Sequence, residues 1–325
     1  MRLPAKVRVM RVDVQGLNKK FGKLHAVRDL SFAIEPGRVT GFLGPNGSGK
    51  STTMRLMLGL DNGTGTTLYD GVPLTQHSRI TRVVGAHLDA KFFHPNRTAR
   101  AHLKMLAAEA GIGDKRIDEV LELVGLSGVA KKRPGGFSLG MGQRLGLAGA
   151  ILAEPQVLML DEPVNGLDPQ SIQWMRDFLR QYAAQGRSVF VSSHLLSEME
   201  LLAEDVVVIA RGSLIADESM SNFLARATKK SVIVRSPDVV RLASVLAQRG
   251  VDAQIAGEGM ITVDDVTPDF VGEIAFQAGV QLAELTGQRA SLEDVFIELT
   301  ESGQDYRVGG PATDASAISS TGVTA

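Results

Sequence analysis

Hydrophobic positions along the chain change period several times, and each change marks an element. The runs Arg38-Val39-Thr40-Gly41-Phe42-Leu43, Val157-Leu158-Met159-Leu160 and Ser188-Val189-Phe190-Val191-Ser192 are apolar with little alternation. That is the pattern of strands buried on both faces of a parallel sheet. Between them the period is helical. Residues 52–58 read as a helix, and residues 98–125 as two. In the latter stretch apolar positions recur at Ala101, Met105 and Ala108, then at Ile117, Val120, Leu121 and Val124, with Gly111-Ile112-Gly113 as the break. Ser138 is placed as the N-cap of a helix that runs through 145–153 and is ended by Pro155. Asp168-Pro169 leads into a helix at 170–184, Pro being suited to the first helical position.

Ahead of the first buried run, strand-like segments start at Val12. One hairpin arm ends at Leu17-Asn18-Lys19-Lys20-Phe21-Gly22, the other covers 26–34, and Glu35-Pro36-Gly37 turns the chain. Two shorter strands are expected, Thr66-Thr67-Leu68-Tyr69 before the hairpin signal Asp70-Gly71, and Arg82-Val83-Val84-Gly85-Ala86. Strands alternating with helices predict an α/β chain over 12–212, with an antiparallel β subdomain in front and a helical subdomain at about 90–153. A second unit is expected over 213–302. There, strand Ser231-Val232-Ile233-Val234 is followed by an amphipathic helix at 238–249, with Val239, Leu242, Val245 and Leu246 on one face. Strands at 251–255 and 260–263, a helix opened by Thr267-Pro268 and the strand Leu282-Ala283-Glu284-Leu285 complete a βαββαβ order, that of a small α+β ferredoxin-like domain. Ser291-Leu292-Glu293-Asp294 resembles a capping box for a last helix at 295–300. Residues 1–11 and the Gly/Ser/Thr/Ala-rich 303–325 read as unstructured flanks.

Composition narrows the classes. The chain has 325 residues, room for about two domains, and 44% are hydrophobic. Net charge is −1 with both signs interspersed, which gives no case for a nucleic-acid partner. There is no Cys, so disulfides and thiolate metal sites are excluded. No apolar run approaches the ~18 residues that span a bilayer. The basic start (Arg2, Lys6, Arg8, Arg11) lacks an apolar stretch, so no signal peptide is expected. A cytoplasmic chain that meets a membrane through a partner is the expectation.

The chemistry is concentrated in three places. Gly44-Pro45-Asn46-Gly47-Ser48-Gly49-Lys50-Ser51 fits Gly-x-x-x-x-Gly-Lys-Ser/Thr, a phosphate-binding loop between a strand and a helix. Glycines 44, 47 and 49 let the backbone N–H groups turn inward, and the helix N-terminus adds its own. Lys50 supplies charge for the β- and γ-phosphates, Ser51 a ligand for Mg²⁺, and Thr52 follows directly. Asp161 and Glu162 end an apolar strand at the sheet edge where ligands bind in such folds. Asp161 is placed to hold Mg²⁺, and Glu162 to orient or deprotonate an attacking water. His194 ends the next strand at the same edge, a candidate γ-phosphate contact. Phe21 precedes a glycine, and its ring either stacks on adenine or packs in the hairpin.

Together the motifs resemble the ATP-binding cassette (ABC) ATPases over about residues 12–215. Residues 44–51 look like Walker A, 157–162 like Walker B with its catalytic glutamate, Gly166-Leu167-Asp168 like the D-loop and His194 like the switch histidine. Phe21 sits where the family keeps its adenine-stacking aromatic. Ser138-Leu139-Gly140-Met141, followed by Gln143-Arg144, resembles the family signature, although the family has Leu-Ser-Gly-Gly-Gln. The resemblance implies two protomers, identical or related, that sandwich ATP and Mg²⁺, with Ser138 and Gly140 of one reaching the γ-phosphate held by the other. It also implies a separate transmembrane permease that the sandwich drives, and a peripheral position on the inner face of the cell membrane. The family's Mg²⁺-contacting Gln is missing; Asp89 aligns best with it. Both departures look like the ABC-2-type exporter branch, including bacitracin- and daunorubicin-type ATPases, with drug, antibiotic or lipid-like cargo. The alternative is a soluble ABC-type ATPase that remodels a nucleic-acid or ribosomal complex. The single P-loop, and the lack of a long coiled coil or zinc module, weigh against it.

Overall fold

The computed structural model describes residues 9–89, 93–94, 96–227, 230–257, 259–264 and 266–289. In chain order the elements begin with β1 (Val12–Phe21), β2 (Leu24–Ile34), β3 (Val39–Leu43), α1 (Lys50–Met57), β4 (Thr64–Tyr69) and β5 (Val72–Pro73). Then come α2 (Ile80–Val83), β6 (Val84–His87), α3 (Ala99–Glu109), α4 (Asp114–Leu123), α5 (Leu139–Ala150) and β7 (Val157–Asp161). The first unit ends with α6 (Pro169–Ala183), β8 (Ser188–Ser193), α7 (Leu196–Glu200), β9 (Asp205–Ala210), β10 (Ser213–Ser219) and α8 (Met220–Ala227).

The continuous apolar runs occupy the centre of a six-stranded sheet, β10-β9-β3-β8-β7-β6, parallel except for β10. Its two faces feed two cores. Leu43, Leu158 and Val191 point to the helical side; Phe42, Met159 and Phe190 point to the antiparallel sheet β2-β1-β4-β5. Phe32 of β2 stacks with Phe42 and Phe190 at centroid distances of 5.7 and 5.6 Å and locks the two sheets together. In β1 the buried positions Val14 and Leu17 are three apart, which strict alternation forbids. A register shift between them at Gly16 (φ 59°) restores Leu17 to the inner face.

Several sequence expectations shift. The face of α3 is not Ala101–Met105–Ala108: Met105 is 40% exposed, and His102, Leu103 and Ala107 are buried instead. His102 is carried inward by an edge-on contact with Phe93, 5.4 Å between ring centres. Ile117, Val120, Leu121 and Val124 are buried as expected. The strand read at 82–86 starts at Val84, because residues 80–83 close a helical turn. The helix expected to reach Ala153 stops at Ala150, capped at Ile151. The expected boundary after Gly212 is displaced: β10 pairs antiparallel with β9 in the large sheet, and Phe223 of α8 is 1% exposed in the helical-side core. A hairpin strand completing the sheet edge outweighs the composition change that suggested a break.

The second unit comprises β11 (Lys230–Arg235), α9 (Val239–Gln248), β12 (Ala253–Gly257), β13 (Met260–Asp264), α10 (Pro268–Gln277) and β14 (Glu284–Arg289). Its antiparallel sheet has the order β12-β13-β11-β14, the ferredoxin-like arrangement. Leu242 and Leu246 of α9 meet Val232, Val234, Ile261 and Val263 in a core of its own. Thr267 caps α10, accepting from the Phe270 N–H at 3.3 Å. The capping box and helix expected beyond Ser291 lie outside the described residues.

Candidate active site

Between Leu43 of β3 and Lys50 of α1 the chain must turn from the sheet edge onto a helix axis. Gly47 (φ 80°) and Gly49 (φ 107°) take left-handed conformations to do it. A Cβ on Gly44 would strike Ser48 Oγ and the Ile209 carbonyl. The loop is closed by the Ser48 N–H donating to Pro45 O at 3.1 Å and the Thr53 N–H donating to Gly49 O at 2.8 Å. Lys50 is 6% exposed and its Nζ donates to Gly44 O at 2.6 Å. Burial pulls its pKa down, against Glu162 and Asp161, which push it up. Asn46 and the Ser51 residue are exposed; Pro45 and Thr52 are half-buried. Ser48 Oγ is buried with no partner among the described residues. An orphan hydroxyl and a buried ammonium in a loop too tight for Cβ atoms fit an anionic phosphate chain.

Parallel pairing of β7 with β8 sets Asp161 opposite Ser192. Ser192 is fully buried. Its hydroxyl donates to Asp161 Oδ1 and accepts from the Glu162 N–H at 2.9 Å, so one side chain fixes both acids. Glu162 has a left-handed φ of 50°, uncommon for a residue with a side chain. Its carboxylate spans two partners: Oε2 lies 2.7 Å from His194 Nδ1, and Oε1 3.4 Å from Lys50 Nζ. A carboxylate only accepts, so the imidazole proton sits on Nδ1. Glu198 in α7 is raised above the usual carboxyl range by partial burial, with the Glu162 charge adding to it and His194 opposing. Sequence reasoning missed Ser192 and Glu198. The one signal for Ser192 was a polar residue closing an apolar strand.

Ser138 caps α5, its Oγ accepting from the Met141 N–H at 3.3 Å, and it is exposed. Gly140 packs where a Cβ would sit 3.3 Å from Ser171 Oγ. Ser171 in turn donates to both Asp168 oxygens, N–H at 2.9 Å and Oγ–H at 3.0 Å. These bonds hold the Asp168 carboxyl below its ordinary pKa. So Ser138, Gly140 and Asp168 are brought together in one patch, with Asp168 in a helix cap. The guanidinium carbon of Arg144 in α5 lies over the ring of Trp174 in α6, 4.2 Å from its centre, tying the same two helices.

Asp89 is exposed just beyond β6. With Leu88, Leu139, Gln143, Asp161, Glu162, Asn165 and Gly166 it lines a cavity of about 340 Å³. No three His, Cys, Asp or Glu side chains among the described residues are grouped to hold a metal. Mg²⁺ needs few protein oxygens because it keeps waters and substrate phosphates, so the hydroxyl of Ser51 and the carboxylate of Asp161 suit it in kind. Phe21 is 50% exposed at the end of β1, and Lys19 Nζ covers one face of its ring at 4.7 Å.

The family described as ABC transporter matches residues 27–165, and a domain of unknown function, DUF8746, matches 230–293. The bacitracin transport ATP-binding protein BcrA of Bacillus licheniformis is 35% identical over 300 residues, 90% of this chain and 98% of its own length. The lantibiotic transport ATP-binding protein SrtF of Streptococcus pyogenes is 35% identical over 208 residues, 64% of this chain and 90% of its own. Among solved structures, CbiO1 from Clostridium perfringens, part of the ABC transporter complex CbiONQ, shares the fold with a TM-score of 0.59 at 25% identity, covering 67% of this chain and 92% of that one. Similarity that runs the whole length of BcrA settles the family: the chain belongs to the ATP-binding proteins of ABC transporters and hydrolyses ATP in a reaction coupled to transport.

Proposed function

We propose that this chain is the nucleotide-binding subunit of an exporter of antibiotic-like compounds, working against a separate permease on the inner face of the cell membrane. Two similar proteins named for bacitracin and lantibiotic transport support the cargo class. Among the described residues no helix is long and apolar enough to cross a membrane, and in this reading the cargo path belongs to the permease.

The observation that carries the mechanism is Glu162 clasped between Lys50 and His194. The triphosphate enters the glycine loop, takes the N–H groups and the orphan Ser48 hydroxyl, and offers Lys50 a stronger partner than Glu162. Glu162 is then released toward the attacking water, which it orients and deprotonates, while His194 keeps hold of its other oxygen. Ser51 and Asp161, with Asp89 as a third candidate, would hold Mg²⁺, which would supply neutralisation of phosphate charge. The free face of Phe21 takes the adenine. Ser138 and Gly140 of a second copy, this chain or a relative, close over the γ-phosphate, with Asp168 beside them. Glu162→Gln keeps one accepting oxygen and the side-chain shape but loses the base. It is expected to bind ATP as the parent does, to hydrolyse it about 10²–10⁴-fold more slowly, and to accumulate as a dimer in gel filtration with Mg·ATP. Parent-like turnover would overturn the role given to Glu162.

A further inference from the structure

Two polar side chains away from the glycine loop are buried against each other. His87 is 6% exposed and Gln143 4%. Nε2 of His87 lies 2.9 Å from Oε1 of Gln143. The amide oxygen accepts, so Nε2 carries the proton. Gly146, one turn beyond Gln143 on α5, makes room for the ring: a Cβ there would occupy the imidazole's place. The helix therefore has a one-residue notch into which a strand residue seats.

An aliphatic side chain would fill this spot without desolvating a polar ring. The imidazole is a loss unless its hydrogen bond is of use. Both ends of that bond sit on functional elements. His87 ends β6 and pairs with Leu160, the residue before Asp161; two residues on is Asp89. Gln143 lies on the helix that Ser138 caps, and it lines the cavity shared with Asp89, Asp161 and Glu162. Arg144, next in sequence, holds the other side of α5 to Trp174.

We infer that His87 and Gln143 are positioning residues for hydrolysis: their buried bond holds the helix bearing Ser138 and Gly140 in register with the strand edge bearing the acid pair. The inference rests on the reading of Ser138 and Gly140 as phosphate contacts.

The test uses the purified full chain, with ATPase kinetics, ATP binding and thermal melting read on each variant. His87→Leu and Gln143→Leu are each expected to lower kcat about tenfold, with ATP binding and KM unchanged, because neither residue touches the glycine loop. The double variant is expected to be no slower than either single one, since the pair acts as a unit. Gly146→Ala fills the notch and displaces the ring, and is expected to show the same kcat loss together with a lower melting temperature, because overpacking outweighs the gain in helix propensity. His87→Gln, which restores a donor, is expected to recover part of the rate. Single variants that turn over as the parent does, or a double variant as slow as the product of the singles, would overturn the pairing. Ser138→Ala separates the two readings. If it hydrolyses normally, the signature reading fails and the inference with it; if it is inactive while the His87 and Gln143 variants turn over normally, the inference alone falls.

Discussion

Ser192 has no access to solvent, yet its hydroxyl bonds the Asp161 carboxylate and the Glu162 backbone N–H. Removing it leaves a carboxylate oxygen and a backbone N–H without their partner. Each such orphan costs about 1–3 kcal/mol where water cannot reach. Ser192→Ala is expected to keep ATP binding, because Lys50 and the glycine loop are untouched, and to lower both the melting temperature and kcat. Unchanged kcat in a steady-state assay would show that the tip of β7 holds its own shape. Lys50, Asp161, Glu162 and His194 were legible in the sequence because residue type and neighbours announced them. The clasp of Lys50 and His194 on Glu162 was not, since it depends on a left-handed turn at Glu162 that no pattern of hydrophobic positions encodes. Ser192 stood out only as a polar residue closing an apolar strand; its role comes from pairing with a strand 31 residues away.

At the scale of elements, period was readable and phase was not always. The central strands follow from apolar runs, and α4 buries the residues its spacing picked out. In α3 the inward face is set by His102 and Leu103, because a partly polar side chain found an aromatic edge to pack against. The boundary between units moved for a topological reason, since β10 is needed to pair the outer edge of β9. That gives two truncations opposite outcomes. A chain stopped after Ala227 keeps β10 and Phe223 and is expected to fold and bind ATP. A chain stopped after Gly212 opens a strand edge and uncovers the pocket of a buried Phe, a loss of about 3–5 kcal/mol, and is expected to aggregate. Circular dichroism and light scattering of the two read this directly.

For the whole molecule, the sandwich of two copies draws on both α5 and α6, because each carries part of the surface offered to the partner's nucleotide. Gly140 against Ser171 and Arg144 over Trp174 are the contacts that join them. The ferredoxin-like unit has its own core and contributes none of the candidate site residues. Its βαββαβ order was legible from alternating periods, while its purpose is not written in side-chain chemistry.

Trp174 is the single tryptophan of the chain, and a guanidinium lies across its indole. The protein thus carries its own optical gauge, with no label needed. Emission excited near the indole band comes from one place only, the seam between α5 and α6. A nucleotide that tilts these helices apart changes the cation's distance from the ring and with it the yield and colour of that emission. Titrating Mg·ATP into Glu162→Gln is expected to shift the spectrum as dimers form, and Arg144→Ala to abolish the shift. A flat signal during dimerisation would mean that the seam stays rigid while the two copies close.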